Sequence, residues 1–151
     1  MGVYLNSKNP FGLFFDEAAA FYFVDKSEIL CELAPLAESR ARMLCQENES
    51  RRKSNKYICV TRPRRFGKTL AACMIASFFS RGGDSRAVFQ RLKIGGHSDI
   101  FERHINRHNV IFISFNEMPQ NCTSYQQYIS RIERRLRNDL KTAYPEVEID
   151  E

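Results

Sequence analysis

With 151 residues, 43% of them hydrophobic and 12% aromatic, the chain is long enough to close one globular core. No apolar run approaches the roughly 20 residues of a membrane span, and the N-terminus lacks the cationic, apolar and small-residue order of a signal peptide, so the expectation is a cytoplasmic protein without a membrane partner. The net charge of +5 favours acidic partners, of which nucleotide phosphates and a nucleic-acid backbone are the two to weigh.

Residues 1–20 open with the turn-rich NSKNPFG and continue into a short apolar stretch compatible with strand or helix. In FYFVDKSEIL, Asp25 stands where an N-cap belongs and Glu28 follows at the capping-box spacing. Ile29, Leu30, Leu33 and Leu36 then supply an apolar stripe, inside which Pro35 signals a kink or break. From Glu38 to Asn55 the chain is polar, and QENESRRKSN reads as an exposed loop carrying Arg51, Arg52 and Lys53.

Tyr57, Ile58, Cys59, Val60 and Thr61 form a continuous apolar run, expected to be a strand buried on both faces of a parallel sheet. Behind it, RPRRFGKT ends in Gly67, Lys68 and Thr69, the closing triplet of the phosphate loop G-x-x-x-x-G-K-[ST]. The first glycine of that pattern is replaced by Arg62. The following KTLAACMIASFFS places Leu70, Cys73, Met74, Ser77 and Phe78 on one helical face. Strand, loop and helix is the order a phosphate cradle needs, because backbone N–H groups must converge at a helix N-terminus whose dipole favours an anion. In such a cradle Gly67 takes a positive φ, Lys68 meets the β- and γ-phosphates, and the Thr69 hydroxyl ligates Mg²⁺. Arg62, Arg64 and Arg65 either clamp phosphate, reach a neighbouring subunit, or pair with carboxylates elsewhere in the fold. Phe66 reads as a packing residue that holds the loop, with stacking on an adenine as the alternative. The competing interpretation of the whole stretch is a basic turn before an ordinary core helix.

After this helix RGGDS supplies a stop, with Asp84 or Ser85 as the next cap, and Gly95-Gly96 precedes a helix around Ser98 to Asn106. NVIFISFN, starting at Asn109, is the second expected strand. A long amphipathic helix should begin near Thr123-Ser124 and stop at Pro145, with Tyr125, Tyr128, Ile129, Ile132, Leu136 and Leu140 opposite the basic face of RIERRLRNDLK. The five cysteines (31, 45, 59, 73 and 122) contain no C-x-x-C pair and read as reduced thiols. His97, His104 and His108 lack the glutamate of an H-E-x-x-H zinc motif.

The run RPRRFGKT resembles the AAA-ATPase-like family of predicted P-loop ATPases, in which an R-P-R-R-F-G-K-[ST] run replaces the first loop glycine. FYFVDKSEIL is similar to that family's opening Y-x-V-D-K-[ST] segment, VFQRLKI (Val88 to Ile94) to the segment after its loop helix, and NVIFISFNE (Asn109 to Glu117) to its next strand. The four blocks fall in the family's order between about residues 20 and 117. The resemblance implies ATP and Mg²⁺ as ligands, with Arg62, Pro63, Arg64, Arg65, Phe66, Gly67, Lys68 and Thr69 at the nucleotide. Longer members often carry a C-terminal PD-(D/E)XK-type nuclease-like domain, which is not expected within residues 1–151. For Asp25 and Lys26 the sequence offers helix capping or lining of the adenine side, without a reason to prefer a ligand role.

The resulting expectation is an α/β fold: part of a P-loop NTPase-type parallel sheet flanked by helices, truncated before the strand of the acidic motif. Residues 1–151 would be the N-terminal portion of an AAA-ATPase-like domain that binds ATP and hydrolyses it little. Hydrolysis needs an acidic residue at the end of a neighbouring strand to help hold Mg²⁺; Glu117 is a candidate for it but reads rather as a strand-end surface carboxylate, and Asp150-Glu151 lacks the rest of the family's D-E-Y-D motif. Two alternatives stay open: a non-catalytic basic module that binds nucleic acid, and a truncated inactive product. Oligomeric state is not legible in these residues.

Overall fold

The structure is a computed structural model that describes residues 2–43, 57–61, 63–115 and 122–148. Among the described residues six α-helices and one 3₁₀ turn follow in order: α1 (Asn9–Ala18), α2 (Ile29–Met43), α3 (Lys68–Phe79), α4 (Arg86–Phe89), the 3₁₀ turn Lys93–Gly96, α5 (Ser98–His104) and α6 (Tyr125–Ala143).

The expected parallel α/β sheet is not formed: among the described residues there is no strand, only two isolated bridges. Residues 57–61 are unpaired, and Tyr57, Ile58 and Val60 face solvent. The second expected strand makes single bridges instead of a ladder, Leu5 with Ile111 antiparallel and Ser80 with His108 parallel. The physical reason is a missing neighbour. An apolar β-prone run becomes a strand only when another strand satisfies its N–H and C=O groups. Residues 110–112 spend theirs on the N-terminal segment, with Asn6 N–H donating to the Val110 carbonyl at 2.8 Å and Phe112 N–H to that of Tyr4 at 3.0 Å. No partner among the described residues remains for 57–61.

The helices conform more closely to their sequence signals. α2 starts at Ile29 and carries Pro35 inside it, so the proline does not end the helix. Ser124 caps α6 by accepting from Gln127 N–H, and the helix ends at Ala143, two residues before Pro145. Tyr128 and Ile132 of its apolar stripe are buried, whereas Tyr125 is exposed.

α3 lies at the centre of the core. Its C-terminal half is buried on nearly every side (Cys73, Met74, Ala76, Ser77, Phe78 and Phe79), as a helix apolar all round must be. α1 packs along it, and the rings of Phe14, Phe78, Phe89 and Phe101 interlock: Phe14 stacks on Phe89 at 5.0 Å, and Phe78 meets Phe89 edge-on at 5.2 Å.

A polar network closes the C-terminal end of α3. Asn106 N–H donates to the Phe78 carbonyl and His108 N–H to that of Phe79, both at 2.8 Å. The Asn106 amide also donates to the Ser80 and Ser77 carbonyls at 2.9 and 3.2 Å. The Ser85 hydroxyl donates to the Ser77 carbonyl at 2.8 Å. Asn106 holds φ 55°, in the left-handed region that asparagine tolerates better than most residues. Asn106→Ala should therefore destabilise the fold by about 2–3 kcal/mol, since it orphans buried carbonyls and leaves alanine in a strained conformation. Urea unfolding measures this, and a loss below about 0.5 kcal/mol contradicts it.

Asp139, a charged residue on α6, is only 9% exposed. Its carboxylate accepts the N–H groups of Val3, Tyr4 and Leu5 at 2.9, 2.7 and 3.1 Å, which fastens the N-terminal segment to α6. Burial opposes ionisation, but the three N–H donors outweigh it and hold the carboxyl below its ordinary pKa. A depressed folded-state pKa means that the unfolded chain binds the proton more tightly. The stabilisation is thus complete above the unfolded value of about 3.9 and is lost as pH falls through the lower folded value. Asp139→Ala should lower stability at neutral pH by about 1–3 kcal/mol and flatten the acid limb of the stability profile. Urea midpoints of wild type and variant that shift in parallel below pH 4 would contradict this.

Candidate functional site

Gly67 is the N-cap residue of α3 and sits at φ 72°, ψ 27°. The turn before it also uses a positive φ, 68° at Arg65, so the chain reverses sharply into the helix. Gly67 brings no side chain to cap this N-terminus. An α-helix leaves its first N–H groups without intrahelical acceptors, and such groups suit an anion. Lys68 begins the helix, exposed, and its ammonium donates to the Pro63 carbonyl across the loop at 2.9 Å. Thr69 follows, also exposed.

Sequence spacing thus places the triplet at a loop-to-helix junction, and that junction exists without the expected strand in front of it. Pro63, Arg64, Arg65 and Phe66 line the approach, while Arg62 lies outside the described residues. Neither Arg64 nor Arg65 pairs with a carboxylate among the described residues, so the salt-bridge interpretation of these two is not realised. Phe66 is 59% exposed and is not the packed anchor expected for it. Glu117, Asp150 and Glu151, like Arg51, Arg52, Lys53 and Lys56, lie outside the described residues.

Beside the loop a cleft of about 310 Å³ opens between α3, α1 and the segment ahead of α2. This is the lower end of the range for small-molecule sites. Gly67, Leu70, Ala71 and Met74 form one wall, the i, i+3, i+4, i+7 face of α3 that begins at the loop. Across from it stand Tyr22 and Lys26. Lys26 is a neighbour that sequence reasoning left without a role. Its ammonium lies 3.7 Å from the position that a Cβ on Gly67 would occupy.

The histidines do not gather into a metal site. His104 Nδ1 and His108 Nε2 lie 2.9 Å apart and face each other, while His104 Nε2 is 3.0 Å from Glu38 Oε1. His97 flanks α5. Among the described residues no group of three or more His, Cys, Asp or Glu side chains is arranged to hold a metal.

A family model described as predicted AAA-ATPase, AAA-ATPase-like, matches residues 49–151, more than half of the chain. The chain belongs to this family. The match takes in the loop, Val88–Ile94 and the 109–117 stretch, while the FYFVDKSEIL segment lies ahead of it. No curated protein and no solved structure matches the chain. No helix among the described residues is long and apolar enough to cross a membrane.

Asn106 and Asp139 were also missed as organising residues. One signal was available for each: an asparagine between two helical patterns, and a carboxylate interrupting the charged run of α6. Neither reveals its distant backbone partners.

Proposed function

We propose that the chain binds a nucleoside triphosphate, ATP with Mg²⁺, on the loop formed by residues 62–69, and so serves as the nucleotide-binding portion of a family ATPase. The observation that carries this is the uncapped N-terminus of α3, entered through Gly67 at a positive φ and followed by Lys68 and Thr69. Membership of a predicted ATPase family supports it independently. A triphosphate brings negative charge to a loop that presents Lys68, Arg64 and Arg65 beside the start of a helix, where the dipole favours an anion.

In this reading backbone N–H groups at Gly67 and Lys68 bind phosphate oxygens. Lys68 exchanges the Pro63 carbonyl for a β- or γ-phosphate oxygen, and Arg64 and Arg65 contribute charge at the rim. Thr69 would hold Mg²⁺ through its hydroxyl oxygen. The chemistry of the cation, when bound, is to neutralise charge on the phosphates. These residues position a nucleotide without supplying a group that orients water, so slow turnover is expected. Steady-state phosphate release from ATP checks this, and robust turnover abolished by Glu117→Gln would contradict it.

Binding itself separates this reading from a nucleic-acid module. A basic reading has its own support in α6, whose Arg131 and Arg134 line a shallow groove with Gln126, Gln127 and Ser130. If the loop holds ATP, Lys68→Ala loses a charge-assisted contact worth roughly 1.5–3 kcal/mol and weakens ATP binding about 10- to 100-fold. Alanines at Arg134 and Arg135 change it little. A nucleic-acid module reverses the pattern, with duplex affinity following total positive charge and the salt slope falling by about 0.9 per lost contact. Titrating ATP and duplex DNA into both variants at two salt concentrations decides between them.

A further inference from the structure

The segment Asp25-Lys26-Ser27 is fixed on both sides of its lysine. Asp25 accepts the Ser27 N–H at 2.8 Å through one oxygen and the Lys93 N–H at 2.7 Å through the other. Ser27 is fully buried, and its hydroxyl accepts the Ile94 N–H at 3.1 Å. The Lys93 ammonium adds a bond to Glu28 at 2.8 Å. Both neighbours of Lys26 are therefore pinned to the 3₁₀ turn Lys93–Gly96, and its own carbonyl accepts the Ile29 N–H at the start of α2.

Lys26 itself does none of this anchoring. Its side chain crosses to the phosphate loop, where the ammonium stands beside Gly67, and it meets no carboxylate among the described residues. The exposed Lys26 ammonium shares the cleft with Arg65, and together they favour an arriving anion. The cleft that Lys26 lines then continues along the Leu70, Ala71 and Met74 face of α3, with Tyr22 opposite. From Gly67 to Met74 this face runs about 10 Å along the helix axis. The site is thus cationic where it meets the loop and largely apolar along the helix, with the one carboxylate of Glu17 on its α1 side. That polarity suits a ligand with an anionic tail and a flat, weakly polar head better than it suits inorganic phosphate.

We propose that Lys26 is a second cation on the triphosphate, acting beside Lys68, and that the adjoining cleft takes the nucleoside end of the same ligand. The proposal rests on the nucleotide reading of the loop and adds to it a residue outside the loop and a place for the base. It also gives the Asp25-Lys26-Ser27 triad one role: Asp25 and Ser27 fasten the backbone, and Lys26 contacts the ligand.

Two readouts test it. Lys26→Met keeps the aliphatic stem and removes the charge. It should weaken both ATP and inorganic tripolyphosphate about tenfold or more by calorimetry, with the ligand-free melting temperature unchanged. The chain contains no tryptophan, so Tyr22→Trp, at a position 89% exposed, introduces a single emitter at the cleft. Its emission should change on saturation with ATP and stay constant with tripolyphosphate. If ATP binds with an affinity that depends on Lys68 but not on Lys26, or if the emission does not respond to bound ATP, this inference falls while the loop reading stands. If wild type binds neither ligand, or binding ignores Lys68, the loop reading fails and takes this one with it.

Discussion

The C-terminal end of α3 is where the fold is decided. A helix that drives Phe78 and Phe79 into the core also drives its last carbonyls there, and buried carbonyls must find donors. Residues 106–108 provide them through the Asn106 and His108 N–H groups and the Asn106 side chain. Arg81 N–H returns a bond to the His108 carbonyl at 2.9 Å, so the two segments clasp each other. From that clasp the chain continues to 110–112, which binds the N-terminal segment, and Asp139 fastens the same segment to α6.

The two ends of α3 are consequently opposites. One is buried, with its carbonyls satisfied and its side chains locked among aromatic rings. The other is exposed and uncapped, entered through a left-handed glycine and ringed by cations. A helix rigidly held at one end presents the N–H groups of the other in a fixed direction, which lowers the ordering cost of binding an anion there. The Asp25-Lys26-Ser27 segment repeats this design on a smaller scale, since backbone anchoring at 25 and 27 leaves the side chain at 26 to face the loop.

Much of this was legible from the residues, and what was not has a common physical cause. The helices α3 and α6, Ser124 as a cap and Gly67 as the junction are local signals that the structure realises, although Tyr125 leaves the buried stripe of α6 and α3 is buried on more than its one expected face. The expected strands failed because β-propensity describes a side chain's fit to a sheet, not the presence of a partner. Tyr57 and Ile58 are as β-prone as any strand residue and still face solvent. Asn106, Asp139 and Lys26 were illegible for a related reason. Each acts through backbone groups or a loop far away in sequence, and a polar side chain carries no mark of which distant carbonyl or amide it will meet. Phe66 reverses the case: hydrophobicity suggested packing, but a loop tip beside a cleft left it exposed.

The central claim is that the open end of α3, and not the basic face of α6, meets the ligand. Amide hydrogen exchange with and without Mg-ATP tests it directly. Protection should appear at the first-turn amides of α3, Lys68 to Leu70, and at Lys26, with the amides of α6 unchanged. Protection confined to α6, or none at the start of α3 under saturating nucleotide, would contradict it.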